Sequence, residues 1–326
     1  MAMSVLDRGS PAALFAAVAA GAAMKYAAGF MFPKQKKEEY RYVGKVGSIW
    51  VYPFKSFKGV NVQNADCTSV GIQWRSFGDR QWAVSTADGV YLTQRQVPKM
   101  ALIEPVLDGD NIMLKAPGME PISLQADPPV TDSNISKVTV KADTIRSVDM
   151  GDAVADWLCR YFDRTGLRLH YSAPNLEKRD ASNAKKLWQN PAKPGDMLAL
   201  ADNCGYMVVS NASLADLNTR LETPVPITNF RANIIVDDCS AFAEDSWSSI
   251  RIGDVQLRAL DACTRCIFVT VDQSKGVKDK NEEPLKTLKT YRLRDPYGPK
   301  PCFGVNFTMD KCGHVKVGDP IYATVS

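Results

Sequence analysis

The segment Asp261-Ala262-Cys263-Thr264-Arg265-Cys266-Ile267 is the sharpest chemical feature of the sequence. Cys266 stands where a polar stretch enters the strongly apolar run IFVTV, expected as a strand over residues 266–272. Arg265 beside it would favour the thiolate, the form of cysteine that binds a metal. Alone, a C-x-x-C spacing leaves several chemistries open. Half of a zinc knuckle lacks its partner pair, because Cys302 and Cys312 are not spaced as C-x-x-C. A redox disulfide lacks a surrounding βαβ pattern. Two reduced core cysteines at the start of a strand are the plain structural alternative.

Cations and hydroxyls recur at the edges of other apolar runs. Lys55-Ser56 falls in a turn after a strand candidate, and a compact ammonium beside a hydroxyl suits an anionic phosphate. Arg80 precedes the run QWAVST and could fork onto phosphate or pair with its neighbour Asp79. Arg231, in Asn229-Phe230-Arg231-Ala232-Asn233, precedes NIIV in the same way. A solvated loop is the alternative for each. Asp152, Ser210 and Asn211 read as helix caps.

Composition removes other chemistries. The chain has 326 residues, a formal net charge of +4 and two histidines, His170 and His314, which nearly excludes a zinc hydrolase with two or three histidine ligands. No G-x-S-x-G elbow accompanies either histidine, so both read as structural or surface residues. No basic stripe interleaved with aromatics points to nucleic acid. Eight cysteines in a chain this long do not make a small disulfide scaffold, and most read as buried, reduced residues.

The elements that must position these residues are mostly strands. VGSIWVY opens the series. QWAVST and VYLTQ flank Ala87-Asp88-Gly89, and MALIEPVL and NIMLKAP flank Asp108-Gly109-Asp110, giving two hairpins. KVTVKA, TIRSVDM, NIIVDD, SIRIGDVQLRAL and HVKVGDPIYATV follow. Such short spacing suggests a barrel or sandwich. Three helices are expected: one after Asp152 with Val154, Trp157, Leu158, Tyr161 and Phe162 on its apolar face, one over Ser210–Leu221, and one opened by Pro284. A polar stretch without periodicity puts a boundary near residues 165–180.

Pro11–Phe32 is a separate element, 22 residues with Lys25 as the sole charge, and a span needs roughly 20 apolar residues. Lys34, Lys36, Lys37, Arg41 and Lys45 follow it, while only Asp7 and Arg8 precede it. The positive excess on the carboxyl side keeps the bulk of the protein cytosolic. A signal anchor of the outer mitochondrial membrane fits this pattern; the endoplasmic reticulum and an interfacial tail are the alternatives.

Taken in order, the motifs resemble those of MOSC-domain proteins, and within them the mitochondrial amidoxime reducing components. They are YPxKS-x-KG from Tyr52, DR-x-W from Asp79, TNFR-x-NI-x-V from Thr228, AEDSW over 243–247, C-x-RC ending at Cys266, and KVGDP-x-Y from Lys316. SLADLN-x-RL (213–221) and PL-x-TLK-x-YR (284–292) add to the likeness, which runs from about Lys45 to the carboxyl terminus.

The resemblance implies an α+β, β-rich fold: a membrane anchor and basic flank over 1–40, an amino-terminal MOSC β-barrel-like domain over 41–175, and a MOSC β-barrel over 176–326. It implies a molybdenum–molybdopterin cofactor with Cys266 as metal ligand. Lys55, Ser56, Arg80, Arg231, Thr264 and Arg265 match positions that hold the pterin and its phosphate, and Asp202, Asn203 and Asn233 match by position in less distinctive stretches. Thr264 departs from the family's frequent serine but keeps the hydroxyl. The implied reaction is reduction of amidoximes, hydroxylamines or nitrite, with electrons from NADH through cytochrome b5 reductase and cytochrome b5. The chain has no G-x-G-x-x-G fingerprint, so a separate electron donor is expected. Non-catalytic binding or carriage of the cofactor is the alternative activity, and an interaction protein with no cofactor is a third.

Overall fold

Seven strands close into a barrel in the computed structural model, which describes residues 39–183 and 192–325. The order around the barrel is Arg41–Val51, Ile234–Asp237, Tyr206–Ser210, Cys302–Lys311, Val255–Thr264, Trp247–Ile252, Pro320–Val325, and back to Arg41–Val51. Closure removes exposed strand edges. The expectation of a β-rich fold with few helices holds. The apolar stretch Pro11–Phe32, expected as an anchor, lies outside the described residues. Among those residues, no helix is long and apolar enough to cross a membrane.

The barrel draws strands from both ends of the chain. Arg41–Val51 closes a wall otherwise built from residues 206–325, while Gly313–Lys316 leaves to pair with Asn64–Thr68 in a neighbouring sheet. Another sheet orders Ile135–Val140, Asp143–Asp149, Arg168–Tyr171 and Trp82–Ser85. The hairpin expected around Asp108-Gly109-Asp110 forms between Glu104–Asp108 and Asn111–Lys115.

Burial explains the sequence patterns. Ile234, Val236 and Val208 join the main core, whereas Ile235, Met207 and Val209 join a second apolar cluster with Leu217, Val269, Leu285 and Leu288. These strands are therefore covered on both faces and read as unbroken apolar runs. Tyr206–Ser210 and Ile234–Asp237 form a parallel pair, and helix Asn211–Asn218 lies within the connection between them. Ser210 caps that helix by accepting from Ser213 N at 3.0 Å. Helix Leu285–Tyr291 begins after Pro284 as expected. Helix Asp152–Phe162 also forms, but Gly151 rather than Asp152 holds the cap position and no side chain caps it.

One expected strand is a different element. Ile267–Thr270 is a 3-10 helix, and only Val271–Asp272 is extended. The segment packs against the parallel pair and helix Leu285–Tyr291, so Val269 is buried without the segment joining the barrel, while Ile267 and Phe268 stay half-buried. Both histidines are structural or surface residues, as expected. His170 is buried against the hydroxyls of Ser85, Ser136 and Ser147, while His314 is exposed beside Asp66.

Candidate functional site

The Val255–Thr264 strand is bent by register shifts between Ala259 and Asp261 and between Ala262 and Thr264. Bulges of this kind re-aim the residues that follow them. The chain then passes through Arg265 and presents Cys266 as a free, exposed cysteine at the start of the 3-10 helix. Arg265 is pinned below it. Its Nε and Nη2 donate to the Phe303 carbonyl at 2.9 and 2.7 Å, Nη1 donates to the Phe230 carbonyl at 3.1 Å, and its backbone N–H donates to Pro301 O at 2.8 Å. Burial pushes the nearby Cys204 thiol up to about 12 and Cys302 up to about 11, and raises Cys263.

Three residues of the opposing wall adopt left-handed backbone conformations, Ser56 (φ 73°), Arg80 (φ 51°) and Arg231 (φ 53°). Such conformations are unfavourable for residues with a Cβ and persist only where the surroundings enforce them. Here the enforcement is explicit. Arg80 N donates to Tyr52 O at 2.8 Å, and Arg80 O accepts from Leu200 N at 3.0 Å. Lys55 N donates to Trp82 O at 2.7 Å, and the rings of Phe54 and Trp82 stack at 4.9 Å. Arg231 donates to the carbonyls of Phe54 and Phe57 and lies 4.2 Å from the Tyr52 ring centroid, which fixes the Tyr52–Gly59 turn.

These walls enclose a cavity of about 360 Å³, within the usual range for small-ligand sites. All ten residues singled out from the sequence line it: Lys55, Ser56, Arg80, Asp202, Asn203, Arg231, Asn233, Thr264, Arg265 and Cys266. Sequence reasoning missed Arg95, Lys141, Asn229 and Lys300, which line it too. Nothing around Arg95 or Lys141 marks them in the sequence. Asn229 sits in the Asn229–Asn233 string, where Arg231 drew the attention.

The electrostatics are lopsided. Among the described residues, seven cationic side chains line the cavity (Lys55, Arg80, Arg95, Lys141, Arg231, Arg265 and Lys300) against one carboxylate, Asp202, while Arg80 is also paired with its buried neighbour Asp79. Burial pushes Lys55 down to about 8 although Asp202 opposes the shift. Burial and then the charge of Arg80 push Arg231 down to about 9. Burial would raise the Asp202 carboxyl, but Lys55, Lys141 and Arg95 hold it well below the usual carboxylate range. Asn233 has its side chain committed to protein: Nδ2 donates to Asp79 Oδ1 (2.9 Å) and Trp50 O (3.2 Å), and Oδ1 accepts from Met207 N (3.1 Å) and Arg80 (3.3 Å).

Lys55, Arg231 and Arg265 are buried, and buried like charges are unfavourable unless an anion answers them. Asn229 Oδ1 and Arg95 Nε are also buried without hydrogen-bond partners among the described residues. Among the described residues, no group of three or more His, Cys, Asp or Glu is placed to hold a metal ion. A metal at Cys266 would therefore have one thiolate from the protein and need its other ligands from elsewhere. The donor set fits an anionic cofactor that brings its own soft ligands, as the sequence motifs imply.

The comparisons with known proteins agree. Residues 43–165 match the MOSC N-terminal beta barrel domain and residues 196–322 match the MOSC domain. Mitochondrial amidoxime-reducing component 1 of Homo sapiens is 39% identical over 296 residues, spanning 89% of this chain and 86% of that one. The chain belongs to the MOSC-domain family of amidoxime-reducing components. Mitochondrial amidoxime reducing component 2 of Bos taurus is 39% identical over 89% of this chain and 86% of that one. The Danio rerio component 1 is 35% identical over 98% of this chain and 96% of that one. The family's two matched regions supply the cavity jointly: Lys55, Ser56, Arg80 and Arg95 come from the first, and Asp202 through Lys300 from the second.

Proposed function

We propose that this protein is a molybdenum-cofactor reductase of N-hydroxylated compounds, amidoximes and hydroxylamines among them, with nitrite a further substrate. The observation that supports it most is the free thiol of Cys266 at a cavity lined, among the described residues, by seven cationic side chains and one carboxylate. The names of its relatives point the same way. When bound, the pterin-held molybdenum supplies the two-electron couple for cleaving an N–O bond.

The chain's own residues bind and orient. Cys266 offers one soft ligand from a fixed backbone, because Arg265 ties the preceding residue to the Phe303 and Phe230 carbonyls. Lys55, Arg80 and Arg231 form an electropositive wall for the cofactor's phosphate, with the Ser56 and Thr264 hydroxyls beside them. Asp202 holds Lys55 and Arg95 in place and keeps the wall from being purely cationic. We assign the electrons to NADH through cytochrome b5 reductase and cytochrome b5. The location we assign is the outer mitochondrial membrane, with the catalytic unit facing the cytosol and residues 1–40 as the anchor.

The test is turnover of benzamidoxime by the purified chain with a reconstituted electron chain. The expected result is NADH-dependent formation of benzamidine, lost in Cys266→Ser. Absence of turnover in protein shown to contain molybdenum and pterin would favour a cofactor carrier instead.

A further inference from the structure

Arg95 lines the same cavity as Cys266 but differs from the other cations in how it is held. Its side chain is 35% exposed, whereas that of Lys55 is 8% exposed, so Arg95 stands where the cavity meets solvent. Arg231 and Arg265 direct their donors at backbone carbonyls of the barrel and its loops. Arg95 has one carboxylate contact, Nη2 to Asp202 Oδ2 at 3.1 Å, and its Nε is buried without a hydrogen-bond partner among the described residues. That carboxylate is shared, since Asp202 Oδ1 lies 2.5 Å from Lys55 Nζ. The part-exposed guanidinium therefore keeps its charge where the cavity meets solvent, held there by Asp202 and by the neighbouring Tyr91 hydroxyl.

We infer that Arg95 is an anion-positioning residue: it takes up the carboxylate or oxyanion of a substrate approaching Cys266 and gives the site a preference for anionic over neutral N-oxygenated substrates. This rests on the reductase reading above. A guanidinium suits the role because its planar fork meets two oxygens at once, which an ammonium cannot do. Arg95 also lies within electrostatic reach of the thiol. Burial works against its charge, and the Asp202 carboxylate opposes that. Lys141 is less well suited to the role, because an ammonium lacks the planar fork that meets two oxygens of one anion.

The test begins with the full chain made in a host that lacks the pterin cofactor. Cys266 is alkylated with anionic iodoacetate or neutral iodoacetamide, and peptide mass spectrometry follows each cysteine. Cys312, exposed but absent from the cavity lining, serves as the internal reference. The iodoacetate-to-iodoacetamide rate ratio at Cys266, divided by that at Cys312, should fall about three- to tenfold in Arg95→Gln and largely survive in Arg95→Lys. An unchanged ratio in Arg95→Gln would overturn the inference. In the cofactor-loaded protein, Arg95→Gln should retain its molybdenum and pterin. It should also raise the KM for 4-carboxybenzamidoxime about tenfold more than the KM for benzamidoxime, a difference that Arg95→Lys should partly recover. Loss of the cofactor from Arg95→Gln would make Arg95 a cofactor ligand and would also overturn the inference. Wild-type protein that turned over neither amidoxime would count against the reductase reading, while the alkylation ratio would still decide whether Arg95 directs anions to Cys266.

Discussion

Lys55 and Asp202 meet at 2.5 Å between Nζ and Oδ1, deep in the cavity wall, across 147 positions of sequence. The two residues come from different matched regions of the family, so this pair helps fasten one region to the other. Asp202→Asn would leave the Lys55 ammonium buried and poorly compensated. Removing one member of such a pair costs about 3–5 kcal/mol. Asp202 keeps some solvent contact, so urea denaturation of the cofactor-free chain should give a loss near the lower end. Added inorganic phosphate should recover part of it in the variant.

The same pair sets a pH dependence. An ordinary lysine keeps its charge to above pH 10, but burial brings Lys55 down to about 8. The folded protein thus releases a proton near pH 8 that the unfolded chain keeps, and anion binding at this wall loses one positive charge there. Titration calorimetry with inorganic phosphate on the cofactor-free chain should show affinity falling as pH rises through about 8. Lys55→Arg should move the fall to higher pH.

His170 supplies a second titration, remote from the site. It is buried and bonded to the Ser85, Ser136 and Ser147 hydroxyls, and burial pushes it down to about 4. The unfolded chain takes up that proton near pH 6.5, while the folded protein refuses it until about pH 4. Stability is therefore intact above 6.5 and lost progressively as pH falls toward 4, by about 3 kcal/mol from this group. Denaturation midpoints measured across that window should show the slope, and His170→Gln should flatten it.

Asn233 separates a structural role from a binding role. Its amide bridges Trp50, Asp79, Arg80 and Met207, linking strand Arg41–Val51 to strand Tyr206–Ser210. Asn233→Ala strands several buried partners, each worth about 1–3 kcal/mol. Denaturation of the cofactor-free variant should show a loss of at least about 2 kcal/mol. No loss of stability would mean that the residue serves the cofactor alone.

Much of the site was legible because its residues sit in short, chemically biased strings at strand ends. Lys-Ser after an apolar strand, Arg before one, and a cysteine next to an arginine are local patterns that survive in one dimension. Arg95, Lys141 and Lys300 were not legible, because each owes its place to chain segments far away in sequence. The Glu104–Lys115 hairpin and the three helices followed from periodicity and turn residues, whereas the expected second arm VYLTQ makes only isolated bridges, Tyr91 to Ser85 and Val90 to Thr139. The run IFVTV misled, because a short apolar segment buried by helices looks like a buried strand until its partners are known. A barrel was expected, but which strands close it was hidden for the same reason: the pairing of Arg41–Val51 with Ile234–Asp237 joins segments nearly 200 positions apart, and no local pattern encodes it.

The central claim is that the Cys266 sulfur holds a pterin-bound molybdenum among these cations. Its most direct test is molybdenum and pterin analysis of the chain lacking residues 1–40, wild type beside Cys266→Ala, purified from a host that makes the cofactor. The expected result is stoichiometric molybdenum and pterin in the wild type and loss of molybdenum in a variant that still folds. Wild-type protein without either component, or Cys266→Ala with an undiminished molybdenum content, would contradict it.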